Sequence, residues 1–350
     1  LMRSMEGESE FTVQSQLMLY RITGEDDKAL ELAARACEEM GFGTADIRFA
    51  YGLLLGLRND RDGALRQWRL ANEQAPRDLQ VAVALSDLLA TTGETSQSLE
   101  VLRRANLAVG SSDPGFRERW LSAESTIGNN LVVINERRRV FEANPGNISN
   151  AISLAQGLMQ SRIDREDLTE EVKDPSTGEM TSKPAYTERE WARLSAAEKG
   201  NRITMKGRQR LDEAATVLQR LRAFDDTDPN VIVAISRFRR QAGDKSESNR
   251  ELQEAIDRLA TMTDEPANRR AKIILEQGRN LWTEGSRAAA REKFQEAIGL
   301  EAADSVEITA LAAEFFTSAN EIAESIPLQE RLLSRLKADD ARLAVIRMVA

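Results

Sequence analysis

Acidic and arginine side chains carry most of the chemical capacity of this sequence, because its 350 residues include no histidine and a single cysteine. Histidine is the commonest general base, proton shuttle and metal ligand, so its absence excludes Ser-His-Asp and Cys-His catalysis within the chain. The lone Cys37 excludes an internal disulfide, a zinc finger and a Cys-x-x-Cys pair. Carboxylates, Lys, Arg, Tyr and Ser remain, and the sequence predicts no cofactor and no metal site.

Two acidic motifs resemble metal sites but have simpler explanations. Asp60-Arg-Asp62-Gly63 resembles the start of a calcium loop, but a twelve-residue loop would need Glu where Ala71 stands. Asp225-Asp-Thr-Asp228 precedes a proline and is typical of a helix N-terminus, where carboxylates are favoured. Catalysis by a carboxylate pair stays open, because nothing selects one pair among 57 acidic residues. The sequence therefore predicts no catalytic residue.

Two other motifs have a structural and a chemical interpretation. Cys37 is predicted to pack on a second helix, whereas a reactive thiol would need exposure and a basic neighbour. Gly41-Phe-Gly43 is predicted to be a turn, because no strand precedes it and no third glycine follows, as a phosphate loop would require.

The composition predicts a helix-rich protein with an acidic surface. Its 48 basic and 57 acidic residues give a net charge of −9, which disfavours nucleic acid and anionic lipid as partners. Only 5% of residues are aromatic, and no apolar stretch approaches the roughly 18 residues of a membrane span, so no membrane insertion is predicted in this segment. We find no signal peptide, both ends look cut from a longer protein, and bacterial cytoplasm and periplasm are equally compatible with one cysteine.

A spacing pattern recurs along the chain, and its first two copies are 34 residues apart. It comprises Tyr51-Gly52, Leu55, Ala64, Trp68, Ala71; then Leu85-Ser86, Leu89, Ser98, Leu102, Ala105; then Gln277-Gly278, Leu281, Ala290, Phe294, Ala297. Small residues fit where two helices cross closely, and large residues fill the space between neighbouring units. The pattern therefore predicts a series of antiparallel helical hairpins.

This pattern resembles the tetratricopeptide repeat family. The resemblance implies an all-α fold, a right-handed α-solenoid of about eight helix-turn-helix repeats with a helical-arm insertion. The units are predicted to begin near Glu10, Ala45, Leu79, Pro114, Ile148, Pro229, Ala271 and Ser305. We predict N-terminal repeats over 1–162, an insertion over 163–206 within the fifth repeat, and C-terminal repeats with a terminal helix over 207–350.

The insertion is predicted to be an extended helical arm. The first helix of the fifth repeat can continue from 148 to 172, about 37 Å at 1.5 Å per residue, and residues 174–184 predict a turn or hairpin tip. A capping box, Thr187 to Glu190, opens a short helix bearing Trp191 and Leu194, and a second long helix is predicted to begin near Arg202. Trp191 is a candidate docking anchor; alternatively, Trp191 and Leu194 pack on the two long helices.

In the resembling family, first helices line a concave surface that binds a peptide or a partner helix. The equivalent N-terminal positions are largely apolar: Gln14, Met18, Arg21, Phe49, Leu53, Leu57, Val83 and Asp87. The C-terminal ones form a basic strip: Val233, Arg237, Arg240, Lys272, Leu275, Arg279 and Trp282. Such a strip could hold an acidic peptide, or its arginines could pair with nearby acids such as Glu276 or Glu254. Some members of that family bind a chaperone tail through Lys and Asn at set inward positions, and this sequence does not reproduce that set.

These observations predict a non-enzymatic scaffold that binds a protein partner through its concave face, its insertion, or both. The candidate partner-binding residues are Arg237, Arg240, Lys272, Arg279, Trp282, Phe49, Leu53 and Trp191. One alternative is the repeat segment of a larger secretion, polysaccharide-export or enzyme-bearing protein. The other is a structural protein that self-associates through apolar residues such as Leu343, Val345 and Met348.

Overall fold

A computed structural model describes residues 9–110, 113–160, 163, 165–173, 180–262, 267–301 and 306–335. These residues form two compact units, which divide between Val133 and Ile134. The first unit holds α1 (Glu10–Thr23), α2 (Asp26–Glu38), α3 (Ala45–Leu57), α4 (Arg61–Gln74), α5 (Leu79–Thr91), α6 (Thr95–Val109) and α7 (Pro114–Thr126). The division falls inside α8 (Asn130–Ala143).

The second unit continues with α9 (Ile148–Gln160), a 3₁₀ turn (Arg165–Asp167), β1 (Thr169–Lys173), β2 (Met180–Pro184), α10 (Glu188–Arg193) and α11 (Ala196–Phe224). It ends with α12 (Pro229–Gln241), α13 (Lys245–Ala260), α14 (Ala267–Thr283), α15 (Arg287–Gly299), α16 (Glu307–Ser318) and α17 (Ile322–Arg335). No described helix has both the length and the apolar character needed to cross a bilayer. The terminal residues Leu343, Val345 and Met348 lie outside the described residues.

Consecutive helices pack as hairpins, as the repeat spacing predicts. The packed pairs are α1–α2, α3–α4, α5–α6, α9–α11, α12–α13, α14–α15 and α16–α17. Six of the residues that separate consecutive helices adopt left-handed backbone with φ from 61° to 95°: Gly24, Asn59, Gly93, Gly128, Gly243 and Gly285. This conformation ends a helix and reverses the chain. The predicted fold class, an all-α helical-repeat solenoid, is therefore confirmed.

The small-residue positions are where the two helices of a hairpin touch. Ser86 and Ser98 share a buried hydrogen bond of 2.8 Å, and Ser236 and Ser248 share one of 2.7 Å. Gly52 is the most crowded of these positions, because a Cβ atom there would lie 2.2 Å from Nε1 of Trp68. That indole is itself fixed, since its N–H donates to the Phe49 carbonyl at 3.1 Å.

We expect Gly52→Ala to lower the free energy of unfolding by about 1–3 kcal/mol, because the added methyl displaces a buried indole. Gly278→Ala is the matched control at the same repeat position. Its Cβ would lie 3.3 Å or more from its neighbours, so the helix propensity of alanine, worth about 1 kcal/mol, offsets the crowding. Urea denaturation followed by circular dichroism measures both, and equal costs would contradict this account of the crossing.

The insertion differs from the prediction in its first half. The first helix does not continue to Val172, because α9 ends at Gln160 and residues 169–173 form a strand. That strand pairs antiparallel with β2, in a register that runs from Thr169 opposite Pro184 to Lys173 opposite Met180. The β-branched Thr169 and Val172 favour this pleated pairing. The insertion is therefore a β-hairpin followed by helices, and the predicted extension of the first helix to residue 172 is wrong.

The second half of the insertion follows the prediction more closely. The capping box at Thr187 and Glu190 is present and opens α10. Ser195 and Glu198 form a second capping box, so α11 begins at Ala196, six residues before the predicted start. This helix has 29 residues and is about 44 Å long.

A buried ion pair attaches the insertion to the repeats. Arg210 on α11 contacts Asp167 at 2.5 Å, with only 5% and 8% of the two side chains exposed. A pair this deep is costly to break, because removing one partner leaves the other charge in a desolvated site. The base of the insertion is therefore fixed to the helix that also completes the fifth repeat.

Candidate functional site

The first helices of four hairpins in the second unit line a continuous groove. These helices, α9, α12, α14 and α16, contact one another in succession. Their inner faces enclose two adjoining cavities of about 680 and 640 Å³, which share Arg237, Glu276, Arg279 and Leu311. Polar side chains line much of both cavities, including Ser153 and Gln156 from α9 and Asn230 from α12. This groove is the candidate site for an extended ligand.

Two arginines share one buried carboxylate at the centre of the groove. Arg237 donates from Nε and Nη2 to the two oxygens of Glu276, both at 2.7 Å. Nη1 of Arg279 lies 3.6 Å from the same carboxylate. Glu276 is almost wholly buried, whereas 42% of the Arg237 side chain is exposed. Two positive charges facing one negative charge leave one positive charge uncompensated within this group.

Of these three groups, Arg279 is the one with an unsatisfied hydrogen-bond donor. Its Nη2 donates to the Leu311 carbonyl at 2.9 Å, and its guanidinium lies 5.5 Å from the centre of the Phe315 ring. Its Nε is buried without a hydrogen-bond partner among the described residues. Burial lowers the pKa of Arg279, whereas the hydrogen bonds to Glu276 raise the pKa of Arg237. Both side chains remain cationic, since arginine stays protonated in proteins.

The remaining cations of the predicted strip form local ion pairs. Arg240 contacts Glu284 at 2.6 Å and donates to Thr283 Oγ1 at 3.0 Å. Lys272 contacts Glu307 at 2.6 Å. Arg237, Arg240 and Lys272 therefore form local ion pairs, which was the alternative to ligand binding. Of the two acids that the sequence suggested as partners, Glu276 is one. Glu254 is not one of these partners; it lies 3.6 Å from Arg250 instead.

Trp282 does not line the groove, which corrects its assignment as a partner-binding candidate. Only 5% of the residue is exposed. It packs edge-on against Phe294, Phe315 and Phe316, with ring centres 5.1 to 6.5 Å apart. The reason is helical geometry, since one residue along a helix turns the side chain by about 100°. The next residue, Thr283, lines the groove, and sequence reasoning missed it.

The first unit has a separate groove between α1 and α3, lined by both apolar and polar side chains. This cavity of about 520 Å³ is lined by Gln14, Met18 and Arg21, as expected, and also by Ile22, which the sequence reading missed. Met18 and Ile22 are 66% and 73% exposed. The candidates Phe49 and Leu53 lie outside this cavity, half-buried against the core; the ring of Phe49 is 6.2 Å from that of Trp68.

Trp191 is half-buried within the insertion. Its ring centre lies 5.8 Å from that of Tyr186, and the Lys199 ammonium lies 5.8 Å from the same ring. Arg202 covers Tyr186 in the same way at 5.1 Å and donates to its hydroxyl at 2.6 Å. Trp191 therefore packs on Tyr186 and on the start of α11, which fixes the short helix α10 in place.

The acidic motifs act as helix caps. Asp60 accepts from the Gly63 backbone N–H at 2.8 Å, and Asp228 accepts from Asn230 and Val231. No group of three or more His, Cys, Asp or Glu side chains in the described part of the chain is placed to hold a metal ion. Burial raises the pKa of the Cys37 thiol, which opposes formation of a reactive thiolate.

The described hairpins, with small residues at their crossings and glycine or asparagine at their turns, form a helical-repeat fold of the kind that tetratricopeptide proteins have. No family model matches the chain, and no curated protein matches it. Solved structures that match include a tetratricopeptide repeat protein from Parabacteroides merdae, at 10% identity over 86% of this chain and 98% of that chain, with a TM-score of 0.45. Another is the MamA protein, at 12% identity over 61% and 90%, with a TM-score of 0.37. A third is YrrB, a tetratricopeptide protein described as having an unusual peptide-binding site, at 13% identity over 64% and 91%, with a TM-score of 0.38.

Proposed function

We propose that this chain is a non-enzymatic scaffold that binds an extended segment of a partner protein in the groove of the second unit. The observation that carries the proposal is the groove itself. Four first helices present a continuous recess with cavities of about 680 and 640 Å³, lined by hydroxyl, amide and charged groups. Such a recess suits a polypeptide, which has polar backbone groups along its whole length and side chains at regular intervals.

The chemistry of the groove favours a partner segment that carries a carboxylate. Arg237 and Arg279 together hold one more charge than Glu276 neutralises, and Arg237 is exposed enough to reach a ligand. A guanidinium binds a carboxylate through two parallel hydrogen bonds, so a partner Asp, Glu or C-terminus would find donors here. Arg240 and Lys272 contribute less, because each already pairs with an acid of this chain.

A photo-crosslinking amino acid at Val233, in the groove, tests the proposal in native lysate. We expect a discrete crosslinked partner, identified by mass spectrometry, at a yield at least fivefold above that from Glu254, which is exposed on the second helix of the same hairpin. Arg237→Gln, combined with the crosslinker at Val233, should lower that yield, because it removes an exposed guanidinium that can donate hydrogen bonds to an anion. Equal yields from the two positions would reject the groove as the binding site.

The groove of the first unit favours a second binding mode. Its exposed Met18 and Ile22 could receive the apolar face of an amphipathic helix, which is the usual ligand of such a surface. Methionine adapts to differently shaped apolar partners because its side chain is unbranched and flexible. Met18→Glu would abolish this mode and leave crosslinking at Val233 unchanged.

A further inference from the structure

The segment from Lys183 to Arg210 has a charge opposite to that of the whole chain. It contains eight basic and three acidic residues, in a protein with a net charge of −9. Most of this segment lies in α10 and the first half of α11, and none of its residues lines the groove cavities. Its positive charge therefore belongs to a different surface from the one that carries the proposed peptide groove.

Two of the three carboxylates in this segment are committed to helix caps. Glu190 accepts from the backbone N–H and the hydroxyl of Thr187 at 2.8 and 2.7 Å. Glu198 accepts from the same two groups of Ser195 at 2.8 and 2.7 Å. These hydrogen bonds lower the pKa of both carboxyl groups, so both stay ionised and bound to their own helices. The third, Glu188, is 87% exposed and lies 3.8 Å from Arg165.

The basic side chains divide into those used within the insertion and those left exposed. Arg210 pairs with Asp167, and Arg202 donates to the Tyr186 hydroxyl. In contrast, Arg189 and Arg193 are exposed and form no ion pair within 4 Å in the part of the chain that the structure describes. We call these two residues the basic patch.

The basic patch lies on one face of α10, and an aromatic side chain lies on the other. Arg189 and Arg193 are four residues apart and therefore neighbours on α10, whereas Trp191, two residues from each, points about 160° away from them. Lys199 approaches the ring of Trp191 from α11, so the aromatic face of α10 packs within the insertion and the two arginines point away from it. Arginine is among the residue types that contribute most to protein–protein interfaces.

We propose that the basic patch docks an acidic segment of a protein partner, independently of the peptide groove. Nucleic acid fits less well, because single strands bind by stacking bases on open aromatic faces, and here Tyr186 and Trp191 pack on each other and are covered by Arg202 and Lys199. A membrane surface fits less well, because an interfacial helix needs an apolar face to insert, and α10 offers only Trp191 among polar and small residues.

The test measures binding of a fluorescein-labelled twelve-residue Asp/Glu peptide by fluorescence anisotropy. Arg189→Glu with Arg193→Glu should weaken binding at least tenfold in 50 mM salt. The matched control is Arg61→Glu with Arg66→Glu, two exposed arginines of the first unit that change the net charge by the same amount. We expect the control to stay within twofold of the unchanged chain, and circular dichroism to be the same for all three proteins.

Absence of peptide binding, or equal weakening in the control, would overturn the proposal. Two further probes compare partner classes: vesicles with 30% phosphatidylserine and a twelve-nucleotide single strand of DNA. If either probe binds more tightly than the peptide, and this binding depends on the patch, the patch is a site for that class of partner instead. Crosslinking from Val233 should be unchanged by the patch variant, so the groove and the patch can fail separately.

Discussion

Replacing Trp282 by alanine will lower the free energy of unfolding by about 3–5 kcal/mol, the largest effect expected from a single substitution here. The side chain is 5% exposed and contacts three phenylalanine rings drawn from two hairpins. The guanidinium of Arg287 lies 3.9 Å from its ring centre, which adds a cation–π contact. Alanine would therefore leave a cavity at the junction of α14, α15 and α16.

Urea denaturation of the purified chain measures this effect, and Trp191→Ala provides the control. Trp191 is half-buried on a six-residue helix, so its loss should cost far less and affect only the insertion. A cost below about 1 kcal/mol for Trp282→Ala would contradict its placement in the core, because buried tryptophans do not tolerate truncation so easily. It would also restore Trp282 as a partner-binding candidate.

Glu124→Gln is expected to lower the free energy of unfolding by about 3 kcal/mol at neutral pH. The carboxylate is 1% exposed and accepts from Arg103 Nε and Nη2 at 2.7 and 2.8 Å. It also accepts from the Trp120 indole at 3.0 Å and from Asn129 Nδ2 at 2.7 Å. An amide can accept on only one of its two terminal atoms, so the substitution leaves at least one buried donor facing another donor.

The same carboxylate makes stability depend on pH. Burial opposes ionisation of Glu124, but the hydrogen bonds from Arg103, Asn129 and Trp120 outweigh it and lower its pKa below the ordinary 4.5. A depressed pKa in the folded state adds stability that is present above about pH 4.5 and is lost as the pH falls through the folded value. The unchanged chain should thus lose more stability between pH 6 and pH 3 than Glu124→Gln does.

The control for Glu124 is Glu100→Gln in the same unit. Glu100 is 51% exposed and pairs with Arg104 one helical turn away. Exposed pairs of this kind contribute little, and we expect a change within about 0.5 kcal/mol at any of these pH values. If the free energy of unfolding depends on pH in the same way for the unchanged chain and for Glu124→Gln, protonation of Glu124 is not what destabilises the chain in acid.

The hairpins could be predicted from sequence because their signals are local. A fixed spacing of small and large residues, with Gly or Asn at the turns, determines which helix faces meet, as at Gly52 and Trp68. The capping box at Thr187 was visible for the same reason. Ser195 and Glu198 carry the same signal, and a systematic scan for Ser/Thr-x-x-Glu would have found the true start of α11.

The strand at 169–173 could not be predicted in this way. The spacing of Ile163, Leu168 and Val172 fits a helix, and the pairing that decides otherwise comes from residues 180–184, across a loop. The prediction that Trp282 binds a partner was wrong for a different reason. Its neighbours Arg279 and Thr283 do line the groove, but a register error of one residue exchanges a groove position for a core position. The ion pairs of Arg240 with Glu284 and of Lys272 with Glu307 depend on packing between repeats, which spacing alone does not give.

The insertion has a consequence for how such a chain can change. Because α9 and the last half of α11 pack as an ordinary hairpin, the segment between them is an insertion in a repeat that is complete without it. The basic patch and the repeat fold are then separable, and an excision joined by a short turn should keep the repeats and their groove intact. One residue limits this modularity. Arg210 remains in the repeat when Asp167 is removed, so a shortened chain would need an apolar or small residue there.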